Sequence, residues 1–99
     1  MKTPLRWVYP ESSRRIEAMA KELGVHPYDF ALIVSVEADS PASQILIIQR
    51  GPREWSQKFR VKELSCTADA VTAFLQDVFE EIGKETRQEY QQFMNERQV

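Results

Sequence analysis

The run Ile45-Leu46-Ile47-Ile48 constrains this chain more than any other feature. Four consecutive aliphatic side chains, three of them β-branched, are too few for a helix and suit a strand flanked on both sides. Side chains alternate between the two faces of a strand, so such a run points apolar groups out of both. The residues around it supply the flanking strands. Arg50-Gly51-Pro52-Arg53-Glu54 is a turn with two breakers. After it Trp55, Phe59 and Val61 alternate against Ser56, Lys58, Arg60 and Lys62, which reads as the next strand.

Before the run, Phe30, Leu32, Val34 and Val36 alternate with Ala31, Ile33, Ser35 and Glu37. That is the strand period, and the β-branched content supports it. A helix over 27–37 is the alternative, with Pro27 in its first turn and Phe30, Ile33 and Val34 on one face. Ala38 to Ser43 has loop composition.

Two helices frame the strands. Ile16, Met19, Ala20 and Leu23 recur at i, i+3, i+4 and i+7, which predicts a helix over 12–23. Ser12 or Ser13 can cap its start, and Gly24 can end it in the left-handed conformation. Val71, Phe74, Leu75, Val78, Phe79 and Ile82 form a second apolar stripe, with Thr67 as N-cap and Asp69 in the first turn. Thr86, Tyr90 and Phe93 continue that face, so the helix runs on to about residue 96 or breaks at Gly83. Leu5-Arg6-Trp7-Val8-Tyr9, stopped by Pro10, reads as a brief edge strand or extended arm.

The expected fold is a single α+β domain over residues 1–99, in the order (β)-α-β-β-β-α. It is a three-stranded antiparallel meander with both helices on one face, and the N-terminal arm at 1–10 would add a short fourth strand. Residues 84–99 form an extension of the long C-terminal helix. Helices on one face leave the other bare, so one side of the central strand needs cover. Ile33, Ile45, Ile47 and Ile48 are the candidates there, and Tyr90, Phe93 and Met94 are candidates on the projecting helix. The N-terminal arm, with Trp7 and Tyr9, is the competing cover for the sheet. Fraying is the competing fate of the helix end.

Charge is uneven: residues 1–24 carry a net +2, 25–66 a net 0 and 67–99 a net −4. A basic start and an acidic finish argue against a uniform polyanion-binding surface. Even so, Arg50, Arg53, Lys58, Arg60 and Lys62 cluster on and beside one strand and could grip phosphates. The order α-β-β-β-α over roughly 12–82 resembles that of double-stranded-RNA-binding domains. Where those domains open the second helix with a Lys-rich cluster, this chain has Thr67-Ala68-Asp69-Ala70. With 27–37 as a helix, the first part would instead resemble a helix-turn-helix with a wing. Its recognition helix would then hold Asp29, Ile33, Val34, Ser35 and Glu37 but no Lys or Arg.

Chemistry has thin support in the sequence. Cys66 precedes the last helix and His26 is the one His, and nothing in the spacing joins them as a nucleophilic pair. Asp77, Glu80, Glu81 and Glu85 read as a solvated helix face, without the spacing of a calcium loop. No glycine-rich phosphate motif and no zinc-protease motif occurs. The expectation is a small non-enzymatic interaction domain without metal or cofactor. It would act as a homodimer or bind another protein, with nucleic-acid binding as the alternative. One Cys, no apolar signal core and no long apolar run make cytoplasm the default and a membrane span unexpected.

Overall fold

A computed structural model describes residues 2–36 and 42–97. The expected 38–43 loop therefore falls mostly outside the described residues. The elements are β1 (Lys2–Pro4), α1 (Leu5–Val8), α2 (Pro10–Glu22), a 3-10 turn (Pro27–Asp29), β2 (Ala31–Val36), β3 (Ser43–Arg50), β4 (Arg53–Arg60), α3 (Val61–Cys66) and α4 (Asp69–Arg97). The four strands form one antiparallel sheet in chain order, β1-β2-β3-β4, and the fold is α+β.

The register decides which side chains meet. Leu32, Ile48 and Trp55 form one cross-strand row, and Thr3, Val34, Leu46 and Gln57 form the next. These rows lie on the helix side, where Val34, Leu46, Ile48 and Phe59 pack with Leu5, Ile16, Ala20, Leu64 and the α4 stripe. Aromatic edges complete this core: Phe30 meets Phe79 with centroids 5.0 Å apart, and Phe59 meets Phe74 at 5.7 Å.

The N-terminal strand is shorter and earlier than Leu5–Tyr9. Pairing runs only from Lys2↔Ser35 to Pro4↔Ile33, and then the chain winds into α1. The Tyr9 N–H closes that turn on the Leu5 carbonyl at 2.8 Å, which drops Leu5 into the core. Burial of one leucine overrides the strand preference of Trp7 and Val8, both of which stay exposed. Pro10, the expected strand stop, instead opens α2 at its first position.

Ser12 and Ser13 consequently lie inside α2 rather than capping it. The Ser12 hydroxyl donates to the carbonyls of Leu64 at 2.7 Å and Ser65 at 3.2 Å, tying α2 to α3. At the other end Gly24 takes φ +80°, with its N–H on the Lys21 carbonyl and the Val25 N–H on that of Ala20. Those two bonds are a Schellman cap.

Three further expectations change. Residues 31–36 are strand, preceded by a 3-10 turn, so the described residues 27–36 are neither the alternative helix nor the second helix of a helix-turn-helix; Glu37 lies outside the described residues. Val61 leaves the sheet and starts α3, because Glu63 Oε1 accepts the Arg60 N–H at 3.0 Å, as a third-position glutamate does at a helix start. Thr67 does not cap α4; it closes α3 in the left-handed region at φ 52°. The last helix then runs unbroken through Gly83 to Arg97. Twenty-nine residues at about 1.5 Å each make it roughly 43 Å long, against overall extents of 55 × 24 × 20 Å.

Candidate interaction surfaces

The sheet-facing stripe of α4, Val71, Leu75, Val78 and Ile82, is buried throughout. Its steps of four and three continue at Glu85 and Glu89, where the sheet ends and the β3–β4 turn begins. Here the contact changes character. Arg50 Nη1 donates to Glu85 Oε2 at 3.2 Å, and Arg50 Nη2 donates to Glu89 Oε2 at 2.9 Å. Arg53 Nη1 lies 2.6 Å from Glu85 Oε1, a close charge contact whose alignment falls short of a hydrogen bond. The Arg53 guanidinium also sits 4.9 Å from the Trp55 ring centre. The hydrogen bond from Arg50, then its charge, holds the Glu89 carboxyl below the usual carboxylate range. The same bond raises the Arg50 guanidinium above its own.

Past this clamp α4 presents Tyr90, Phe93 and Met94, which are 64%, 52% and 39% exposed. These are the helix residues expected at an interface, and the structure brings them together within one turn of helix. The sheet candidates divide differently. Ile48 is in the core on the helix side, because strand alternation assigns Leu46 and Ile48 to one face and Ile45 and Ile47 to the other. Ile48, expected at an interface, is instead enclosed in the core and has no surface to offer a partner. The face away from the core carries the row Pro4, Ile33, Ile47, Ser56 and the row Lys2, Ser35, Ile45, Lys58. Ile47 is only 4% exposed even there, and Ile33 and Ile45 are half-buried. The apolar centre of this face is narrow and rimmed by lysines.

The basic candidates do not form one row. Arg50 and Arg53 are engaged by Glu85 and Glu89, Lys58 and Arg60 lie on β4, and Lys62 belongs to α3. The first turn of α4 holds Asp69 and no base, so the basic cluster of an RNA-binding domain has no counterpart there.

Cys66 is exposed, and its Sγ donates to the Lys62 carbonyl at 3.1 Å. The Nδ1 of His26 accepts the Tyr28 N–H at 3.2 Å, and its ring stacks on Tyr28. The two side chains are not brought into contact with each other among the described residues. Also among the described residues, no group of three His, Cys, Asp or Glu side chains could hold a metal ion, and no helix is long and apolar enough to cross a membrane.

The clamp has little local signature: Glu85 falls among carboxylates expected on a solvated helix face, and Glu89 stands apart from them. The usable signal was position: both glutamates fall on the i+3, i+4 continuation of a buried stripe, where a solvated face is not expected. Comparison of the chain with protein-family models, curated proteins and solved structures finds no match.

Proposed function

We propose that this chain is a small non-enzymatic protein–protein interaction domain that pairs with a second copy of itself through the end of α4. The observation that supports this is the exposed trio Tyr90, Phe93 and Met94 on a helix projecting beyond the sheet. Large apolar side chains grouped on a surface favour association, and aromatic residues and methionine are enriched in interface cores. Charge favours a second copy as the occupant. Residues 84–97 carry three basic and three acidic side chains, so two such tails meet without net repulsion. The Arg50–Glu89 clamp fixes the helix against the body just before the trio, which lowers the ordering cost of pairing.

Light scattering on the intact chain tests this. The expected mass is twice 11.6 kDa for the intact chain, falling to the mass of one chain for Tyr90→Lys/Phe93→Lys and to that of one shortened chain when it ends at Gly83. A folded intact chain that stays at the monomer mass up to its solubility limit removes the proposal.

A second reading is attachment to a nucleic-acid backbone. It is supported by Lys2, Lys58 and Arg60 on the same sheet face. A gel shift at low salt separates the two: binding that falls steeply with salt and is lost in Lys58→Ala/Arg60→Ala favours the second.

A further inference from the structure

The brevity of β1 creates a second feature, remote from the α4 trio in sequence. Because strand pairing on that edge stops at Pro4↔Ile33, Ala31 and Leu32 border a cleft of about 730 Å3. Its other walls are α1, one face of α2 and the 3-10 turn. This volume falls within the range of small-molecule sites, about 300–1,000 Å3.

The groups lining the cleft are chemically consistent. Ser13, Glu17 and Lys21 lie at i, i+4 and i+8 on α2, Arg6 comes from α1, and His26 and Tyr28 come from the opposite wall. With His26 neutral, the charged groups among these six sum to +1. The His26 Nδ1 is occupied by the Tyr28 N–H, so the neutral ring carries its proton on Nε2 as a donor. The ring lies 5.0 Å from that of Tyr28 at an interplanar angle of 26°, which makes a flat aromatic surface.

Ser13 is the more telling residue. It is 4% exposed, it lines the cleft, and its hydroxyl makes no hydrogen bond among the described residues. Its neighbour Ser12 is equally buried but is spent on the Leu64 and Ser65 carbonyls. The Ser13 hydroxyl is not among the enclosed atoms left without a partner, so it opens into the cleft that Arg6 and Lys21 also line, where it can bond a ligand oxygen.

We propose that this cleft binds a small organic monoanion. Its oxyanion head is held by Arg6, Lys21 and the Ser13 hydroxyl, and its flat body lies against the His26–Tyr28 stack. Glu17, between Ser13 and Lys21 on the same helix face, opposes a doubly charged head.

Titration of the 15N-labelled intact chain with benzoate is the test, with benzamide and phenyl phosphate as comparison probes. Benzoate is expected to shift the amides of Ser13, Lys21 and residues 26–32 saturably, with benzamide about tenfold weaker. Arg6→Ala/Lys21→Ala, two exposed positions, should weaken benzoate by about tenfold or more, and Ser13→Ala by a few-fold, in spectra that remain dispersed. The proposal is overturned by an absence of saturable shifts, by equal binding of benzamide, or by benzoate affinity unchanged in both variants. Phenyl phosphate binding more tightly than benzoate would overturn the monoanion assignment.

Discussion

Arg50, the last residue of β3, holds Glu89 of α4 by two bonds, Nη2 to Oε2 at 2.9 Å and Nη1 to Oε1 at 3.3 Å. The pair joins positions 39 residues apart at the point where the apolar stripe of α4 runs off the sheet. Below that point burial keeps the helix in place; above it, charge does.

Arg50→Ala should therefore loosen α4 beyond Ile82 without disturbing the core. Its contact with Glu85, both side chains being 19% exposed, suggests a global loss of about 1 kcal/mol after allowance for solvent screening. Amide exchange of residues 83–92 should speed up far more than that of residues 71–82. The Glu89 carboxyl is depressed in the folded chain, so its contribution is fully present above the ordinary glutamate pKa of about 4.3 and lost as pH falls through the lower folded value. Tail protection should thus drop in acid in the native chain and lack that step in Arg50→Ala. Equal exchange rates in the two proteins would contradict the assignment.

Gly83→Ala should stabilise the protein by about 0.5–1 kcal/mol, because a methyl group there meets nothing within 4 Å and the helix is continuous. Gly24→Ala should instead cost about 1–2 kcal/mol, since φ +80° at the end of α2 suits no side chain. Thermal melts of the two variants should move in opposite directions.

Thr67 combines two costs. It is β-branched at φ 52°, and its hydroxyl is buried without a partner. Thr67→Gly relieves both and should raise stability by about 1–2 kcal/mol in urea unfolding. A loss of stability there would mean that the α3–α4 corner depends on the threonine methyl.

Ile47 and Ile48 are neighbours with opposite roles. Ile48→Ala leaves a cavity between sheet and helices and should cost about 3–5 kcal/mol. Ile47→Ala should cost about 2 kcal/mol, the transfer term alone, because Ile47 lies outside the core cluster. Equal losses would show that the two faces are packed alike.

What was legible in the sequence was periodic. Leu32 to Val36 alternates and is strand; Val71 to Ile82 recurs at helical steps and is helix; the aliphatic run is the strand between two others. Local preference failed where one long-range contact outweighed it. Trp7 and Val8 favour strand but follow Leu5 into a helical turn, and Val61 continues the alternation of β4 but yields to the bond between Glu63 and the Arg60 N–H. Α single α3 of six residues is too short to show a period. The interface candidates were half visible: exposure of Tyr90, Phe93 and Met94 follows from helix length, whereas the face taken by Ile48 depends on register, which the run of four aliphatics leaves open. The cleft had no signature, because its walls come from separate stretches between Pro4 and Ile33 and join only when α2 packs beside β2.

The three pairings of β1 have a kinetic meaning. Strands β2, β3 and β4 follow one another in the chain and zip through nearby segments, whereas Lys2 must return to Ser35 across two helices. So short a ladder closing so long an excursion is the last to form and the first to let go. Its release would unseat Leu5 in turn, so opening of this domain is expected to begin at the amino-terminal edge.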